Sequence, residues 1–394
     1  MMVISTRELF KIVISTWLFF SACTSTPVYA EVEVYYAGFA YLGDFNHIKK
    51  NYRHTASINK EEGGRDYLDK VLYGRIKRQH FSNFDLKFDV QAPDTKGSAI
   101  ALAFALDRET TSVEQIGNRY KVITELSAQA LFFDYHEKKL IRSYPVVVQY
   151  IDNLNESPTD SYYIKTVNRL YTEDVKANIF SELITLLKTV YLNRDGASRI
   201  QVVQVDVEDK ALAVLPDRFL NDQDNFRNYI ASTFTGYLSK NQSVPILPYS
   251  TGHAIGNKMA FTVANGDVFN LEIPEPDYEI RLTVRGFKKA LLEKTPVESA
   301  WAYGAYINIE VIEPMSGTSY INTQFVNAAS KTIPASQKNV DDWATYQETL
   351  IGLFDSLTRE VSNPSKKWVK EHSPAKDARK ALKRFNNEVL KQCV

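Results

Sequence analysis

The chain has 394 residues, 44% of them apolar, and carries 47 basic and 47 acidic side chains. Such balance gives no electrostatic reason for a nucleic-acid partner, while the length and apolar content suffice for two domains with packed cores. Only two cysteines are present, Cys23 and Cys393, which excludes a disulfide framework and a cysteine-based zinc site.

The first thirty residues read as an export signal. Arg7 and Lys11 precede an apolar run from Ile12 to Phe20, too short for a finished membrane-spanning helix, which needs about 20 residues. Val28 and Ala30 suit cleavage after Ala30. A rival cut lies at Phe20-Ser21-Ala22-Cys23, which resembles a lipobox and would make Cys23 a lipidated amino terminus. Without Arg7, Lys11 and Glu8 the chain keeps 45 basic and 46 acidic residues. No later run is apolar enough for a transmembrane helix. The expected location is the periplasm, reaching as far as the inner face of the outer membrane.

From Glu31 the pattern changes to strand-like alternation, with a first strand at 32–36. Leu68, Val71, Leu72 and Ile76 mark a helix, and 86–90 a short strand. Residues 99–106 alternate with a period of two, which predicts one buried and one wetter face. Runs 120–135 and 140–150 form a hairpin around the polar turn 136–139. After a polar spacer, Val175, Ile179, Leu183, Leu186, Leu187 and Val190 share a helical stripe that stops near Gly196.

The same order then returns, displaced by about 180 positions. Its parts are a strand at 200–205, a helix carrying Phe226, Tyr229, Ile230, Phe234 and Tyr237, and a short strand at 244–247. An alternating strand follows at 279–285, then a hairpin of 303–312 and 319–326 turning at 314–317. The last helix carries Trp343, Tyr346, Leu350, Leu353, Phe354, Leu357 and Val361 behind the capping Asp341.

The predicted fold class is therefore α+β, with two tandem modules at 31–195 and 196–364. Each is a mixed or antiparallel sheet with two helices packed on it. Residues 365–394 form a basic C-terminal helical tail, nine Lys or Arg against three acids, with Ala378, Leu382, Phe385 and Val389 on one stripe. Two readings of the tail stand: docking on its own domain, or contact with anionic lipid or an acidic partner.

Tyr306–Ile312 in sequence, the turn Met315-Ser316-Gly317-Thr318, residues 322–333 and the helix after them carry a family resemblance. So does Val244-Pro245-Ile246-Leu247-Pro248-Tyr249. This pattern resembles the curli secretion channel family, with the amino-terminal domain of the TolB translocation protein and the lipoprotein activators of penicillin-binding proteins among its relatives. The resemblance implies a periplasmic module that binds other envelope proteins. It does not imply a channel, because segments 110–118 and 290–299, where channel members carry long hairpins, read here as short charged linkers.

No phosphate loop, His-Glu-x-x-His pair or nucleophile elbow is present. His47 and His54, near Asp44, lack metal-site spacing and read as a solvated loop. His136 falls in a hairpin tip. His253 lies between Gly252 and Gly256 and, with Tyr249 and Asn257, is the candidate ligand or partner contact. The acids Glu272, Glu275 and Asp277 are separated by two prolines and read as a stiff connection. Tyr35, Tyr36, Tyr162 and Tyr163 are candidate stacking residues. No cofactor and no metal is expected. The sequence points to a non-enzymatic envelope accessory protein acting on protein partners, a homo-oligomer among the options. A periplasmic protein binding a glycan or small ligand is the alternative, and a hydrolase using His253 or those acids a more distant one.

Overall fold

The computed structural model describes residues 32–43, 48–49, 51–61, 67–88, 99–190, 192, 197–249, 258–263, 268–337 and 340–394. The signal segment, with Cys23 and both cleavage sites, lies outside the described residues. The first half of the chain contains β1 (Glu33–Leu42), α1 (Arg53–Glu61), α2 (Tyr67–Ile76), β2 (Asp85–Lys87), β3 (Ile100–Ile116), β4 (Arg119–Asp134), β5 (Lys139–Leu154), α3 (Asp160–Thr172) and α4 (Ile179–Leu187). The second half begins with β6 (Ile200–Val207), α5 (Asp209–Leu212), α6 (Asp217–Leu220) and α7 (Gln223–Gln242). It continues through β7 (Lys258–Val263), β8 (Val268–Glu272), β9 (Tyr278–Lys294), β10 (Glu298–Glu313), β11 (Thr318–Pro334) and α8 (Asp342–Glu360). The tail forms α9 (Lys366–His372) and α10 (Ala378–Phe385), then a π turn at Asn386–Leu390 and a last turn at Lys391–Cys393. The class is α+β.

Two sheets have the strand orders β2-β1-β3-β4-β5-β8-β7 and β11-β10-β9-β6. They share a plan. A first strand, β1 or β6, runs parallel to a long one, β3 or β9, which starts an antiparallel meander. The meander strands have 17, 16 and 16 residues in one sheet and 17, 16 and 17 in the other. Extra residues fall at matching places: Ala37 and Val203 in the first strands, Asp107 and Arg285 in the second, Ile141 and Tyr320 in the last. A bulge bends its strand and sharpens the twist, so shared bulges make the two meanders curl alike. Leu86 pairs with Val34 in the first sheet, and Leu247 bridges Gln201 in the second. The strand expected at 244–247 is thus reduced to a single bridge.

The first sheet recruits β7 and β8 from beyond α7. β7 pairs with β1 from Ala40–Val263 to Leu42–Phe261, and β8 reaches β5 at Lys139–Glu272, so six strands close on themselves. Inside, Ala101, Ala103 and Ala105 leave room for Phe133, Phe261, Met259 and Leu271. On the opposite side Leu102, Phe104 and Leu106 are buried, with Phe104 against Phe39 and Phe180. Both faces of 99–106 are therefore covered, and the wetter face expected there is absent. In β9 the expectation holds, since Tyr278, Ile280, Leu282 and Val284 are buried and Glu279, Arg281 and Thr283 are only half-buried.

Two further expectations change. The polar spacer before α4 contains a helix, α3, whose Thr159 caps the Tyr162 amide and which buries Val167, Leu170 and Tyr171. The first half thus carries α1 to α4, more than the two helices expected there. The linkers expected at 110–118 and 290–299 are mostly strand, because β3 and β4 continue to Ile116 and from Arg119, and β9 and β10 to Lys294 and from Glu298. Their polar sequences hid them.

Helix α7 joins the halves. Its Phe226, Tyr229, Ile230, Phe234 and Leu238 belong to the core under the second sheet. Its other side carries buried Ser232, Thr235, Gly236 and Ser239. A Cβ on Gly236 would sit 2.3 Å from Val147 Cγ2 of β5, so only glycine allows the helix this close to the first sheet.

The tail docks. Leu382, Phe385, Val389, Leu390 and Cys393 are buried in the second core. Ser373 Oγ and Arg384 Nη1 donate to the Gln324 and Ser319 carbonyls of β11, covering part of that edge. Ser198 N donates to Gln392 O, Tyr278 OH to Gln392 Oε1 at 2.9 Å, and Arg142 Nη1 to Cys393 O at 3.1 Å. The apolar stripe is thus spent inside the protein and is not available for insertion into lipid. Burial pushes the Cys393 thiol up to about 12, so almost no thiolate exists near neutral pH. Native Cys393 is expected to resist iodoacetamide at pH 7.5 and to alkylate on unfolding, read by peptide mass; fast labelling in the folded state would show that the tail undocks.

Candidate interaction site

In both sheets the long strand outruns its parallel neighbour. β1 follows β3 only to Leu106, and β6 follows β9 only to Val284. The bulges at Asp107 and Arg285 then redirect the strands, leaving two hairpin arms, 107–125 and 285–304.

The first arm is covered. At its root Tyr52 OH donates to the Asp107 carbonyl, and the Glu109 carboxylate accepts from the amides of His54 and Thr55 at 2.9 and 2.8 Å, capping α1. Arg108 Nη2 meets Glu125 Oε1 at 2.6 Å, bonds Thr233 Oγ1 and, through Nε, Ser232 Oγ, both at 3.1 Å, and lies 4.5 Å over the Tyr229 ring. Further out, Arg218 donates to the Thr111 carbonyl at 3.2 Å and Lys121 meets Glu348 at 2.6 Å. Glu114 pairs with Lys331 of β11 and accepts from Thr345 Oγ1 at 3.2 Å. Gln337 accepts from Gly117 N at 3.0 Å and donates to Gln115 O at 2.7 Å. Every covering group in the outer part comes from the second half of the chain.

The second arm is bare. Glu208 N donates to Val284 O at 3.0 Å and Glu208 pairs with Arg285 at 2.8 Å. From Phe287 to Lys294 the outer edge of β9 has no backbone partner among the described residues. Lys289 holds the root from one side, bonding Asp342 at 2.7 Å over Trp301. At the end Leu291, Leu292 and Val297 are 49%, 60% and 72% exposed. A register shift at Leu292 breaks the strand alternation, so neither leucine is turned into the core. Unpaired amides and carbonyls beside exposed apolar side chains are what another chain can pair with. The sequence trace was the Leu291-Leu292 pair inside the charged run Lys288, Lys289, Glu293, Lys294.

The residues singled out in the sequence are placed as follows. His253, Asn257, His47 and Asp44 lie outside the described residues. Tyr249 lines a small cleft with Asp107, Gln129, Asn228, Ser232 and Met259, of about 20 Å³, room for about one water. His54 is not in a solvated loop: it is buried on α1, with Nδ1 2.8 Å from Glu109 and its ring against Tyr163. His136 is exposed at the β4–β5 tip, where Asp134 accepts from its amide. Glu272 ends β8, and 273–277 is an irregular connection in which Asp277 Oδ2 accepts from Arg199 N at 2.8 Å. Tyr36 donates to Asp69 and packs on Tyr73 and Phe88, and Tyr162 donates to Asp152. No trio of His, Cys, Asp or Glu that could hold a metal occurs among the described residues, and no described helix is long and apolar enough to cross a membrane.

Fold and site define an α+β protein of two like sheets with one covered and one open hairpin arm. No family model and no curated protein matches the sequence. Among solved structures it is similar to a DUF330-family protein from Xanthomonas campestris, at 10% identity and TM-score 0.20 over 42% of this chain and 81% of that one. It is also similar to a putative neuraminyllactose-binding hemagglutinin homolog from Helicobacter pylori, at 10% identity and TM-score 0.24 over 46% and 96%. A minor lipoprotein from Acinetobacter baumannii matches at 8% identity and TM-score 0.20 over 45% and 98%. Scores this low carry nothing about partners or chemistry to this chain.

Proposed function

We propose that this is a non-catalytic accessory or assembly protein of the bacterial cell envelope that works by protein–protein contact. The observation that supports it is the open arm of β9–β10, with its unpaired edge and exposed Leu291, Leu292 and Val297. The signal-like residues 1–30 support export, to the periplasm or the inner face of the outer membrane, with either cleavage after Ala30 or a lipid on Cys23. The resemblance to the curli secretion channel and TolB group fits a module used for envelope contacts. In this proposal 31–195 and 196–364 are two copies of one unit and 365–394 is an added clasp. A photo-crosslinking residue at Val297 in cells is expected to yield a covalent adduct with another polypeptide, while one at the exposed Glu371 of α9 yields none. An exported protein giving no adduct at Val297 would remove the reading.

A second reading, a small-ligand binding protein, is favoured by a cleft of about 290 Å³ lined by Asp134, Glu137, Lys139, Arg199 and Pro274. That volume is at the low end for ligand sites. A ligand there would raise the melting temperature by mass action.

A further inference from the structure

We infer that the outer face of the docked tail is an adsorption surface for an anionic membrane, held by charge and without insertion; it is independent of the open arm. Charge in the chain is segregated. Residues 365–394 carry nine basic and three acidic side chains, whereas residues 31–364 carry 36 basic and 43 acidic. The balanced total therefore hides a positive tail on a negative body. Docking gives that charge a direction. α10 turns Ala378, Leu382 and Phe385 into the second core, which leaves Arg379, Lys380, Lys383 and Arg384 on its other side with no acid among them. α9 buries Val369 and exposes Lys366, Lys367 and Lys370, and Lys376 is exposed between the two helices. The three acids are Glu371, Asp377 and Glu388, and Arg384 takes up Glu388 at 2.9 Å.

The arginines of the tail are used internally. Arg379 Nε donates to Pro364 O at 2.9 Å, Arg384 Nη1 to Ser319 O at 2.9 Å, and the Arg384 guanidinium lies 4.7 Å over the Tyr320 ring. The lysines are left to solvent. Lys366, Lys367, Lys370, Lys376, Lys380 and Lys383 are all exposed and make no ion pair among the described residues. Arginine's planar fork suits a partner that presents one fixed carboxylate or phosphate. Lysine ammoniums on flexible stems suit a surface with many anionic groups and no fixed register, which favours lipid headgroups over an acidic protein. Six lysines fall within the cluster size, about four to eight, that holds proteins on anionic lipid. The apolar stripe is already buried, so this attraction is Coulombic and weakens with salt. The same membrane repels the acidic body, which orients the protein with its tail towards the lipid.

Co-sedimentation of the purified protein with lipid vesicles tests this. Vesicles of phosphatidylglycerol and phosphatidylethanolamine should bind it at least about tenfold more tightly than vesicles of phosphatidylcholine. A lipid on Cys23 would add equally to both, so the ratio reads the lysine face. Sodium chloride at about 0.5 M should remove the difference. Lys376→Glu, Lys380→Glu and Lys383→Glu together should weaken anionic binding on the order of a hundredfold, with unchanged circular dichroism. Lys60→Glu, Lys188→Glu and Lys258→Glu together make the same change in net charge on exposed lysines of the body, and should weaken it far less. Equal binding to both kinds of vesicle, a preference that survives high salt, or equal loss in the two triple variants would overturn the proposal. So would a protein that ignores anionic vesicles while a photo-crosslinker at Lys380 captures an acidic protein in cells, or captures nothing. Crosslinking at Val297 reads the open arm separately, so either reading can fail alone.

Discussion

Removal of residues 365–394 is expected to abolish cooperative folding of the second sheet. Val369, Leu382, Phe385, Val389 and Leu390 are buried against it, and full burial of such side chains contributes about 1.5–3 kcal/mol each. Their gross loss is on the order of 10 kcal/mol, comparable to the whole net stability of a domain, about 5–15 kcal/mol. The deletion also strips the edge of β11 of the Ser373 and Arg384 donors and leaves Arg142 and Tyr278 without their tail partners Cys393 and Gln392. Thermal unfolding followed by near-ultraviolet circular dichroism should lose its sigmoidal transition. A truncated protein melting within a few degrees of the full chain would show that the tail is an ornament on a self-sufficient core.

Replacing Arg108 with alanine is expected to cost about 3–5 kcal/mol, the range for breaking a buried ion pair from one side. Glu125 has 1% of its side chain exposed and would be left charged without its counter-ion. The same substitution removes the guanidinium from over Tyr229 and from Ser232 and Thr233, so the first sheet loses polar contacts to α7. Replacing both partners, as Arg108→Met with Glu125→Leu, should cost much less than Arg108→Ala, because no charge is then stranded. Urea unfolding at neutral pH distinguishes the cases. If Arg108→Ala falls within 1 kcal/mol of wild type, water reaches Glu125 freely and the seam is looser than its burial implies.

The recurrence of the plan was legible because it depends on local periodicity. The alternation of Ile280, Leu282 and Val284 with Glu279, Arg281 and Thr283, the stripe of α8 and its cap at Asp341 carry their meaning within a few residues. The stripe Ala378, Leu382, Phe385, Val389 likewise announces a helix with one apolar side. What that side meets is not local, and docking on the second core rather than on lipid was decided by a surface more than a hundred residues of sequence away in part, at Ser198 and Arg142.

The candidate site was almost illegible. His253, Tyr249 and Asn257 stand in the sequence as a Gly-flanked chemical cluster, whereas the open arm consists of residues with no chemistry of their own. Residues 110–118 and 290–299 both read from the sequence as short charged linkers. They are mostly strand because long antiparallel partners extend them by backbone hydrogen bonds, which are indifferent to side-chain type. The burial of His54 is equally non-local: Glu109, which caps its helix, comes from a distant strand.

The sequence by itself determined the α+β class, the charge balance and the amphipathic tail, since these follow from composition and from periods of 2 and 3.6 residues. The tertiary structure alone decided that β7 and β8 close the first sheet, that α7 serves both halves, and that one arm is covered while its counterpart is open. Those outcomes rest on contacts between segments far apart in the chain, and a burial pattern cannot record which partner does the burying.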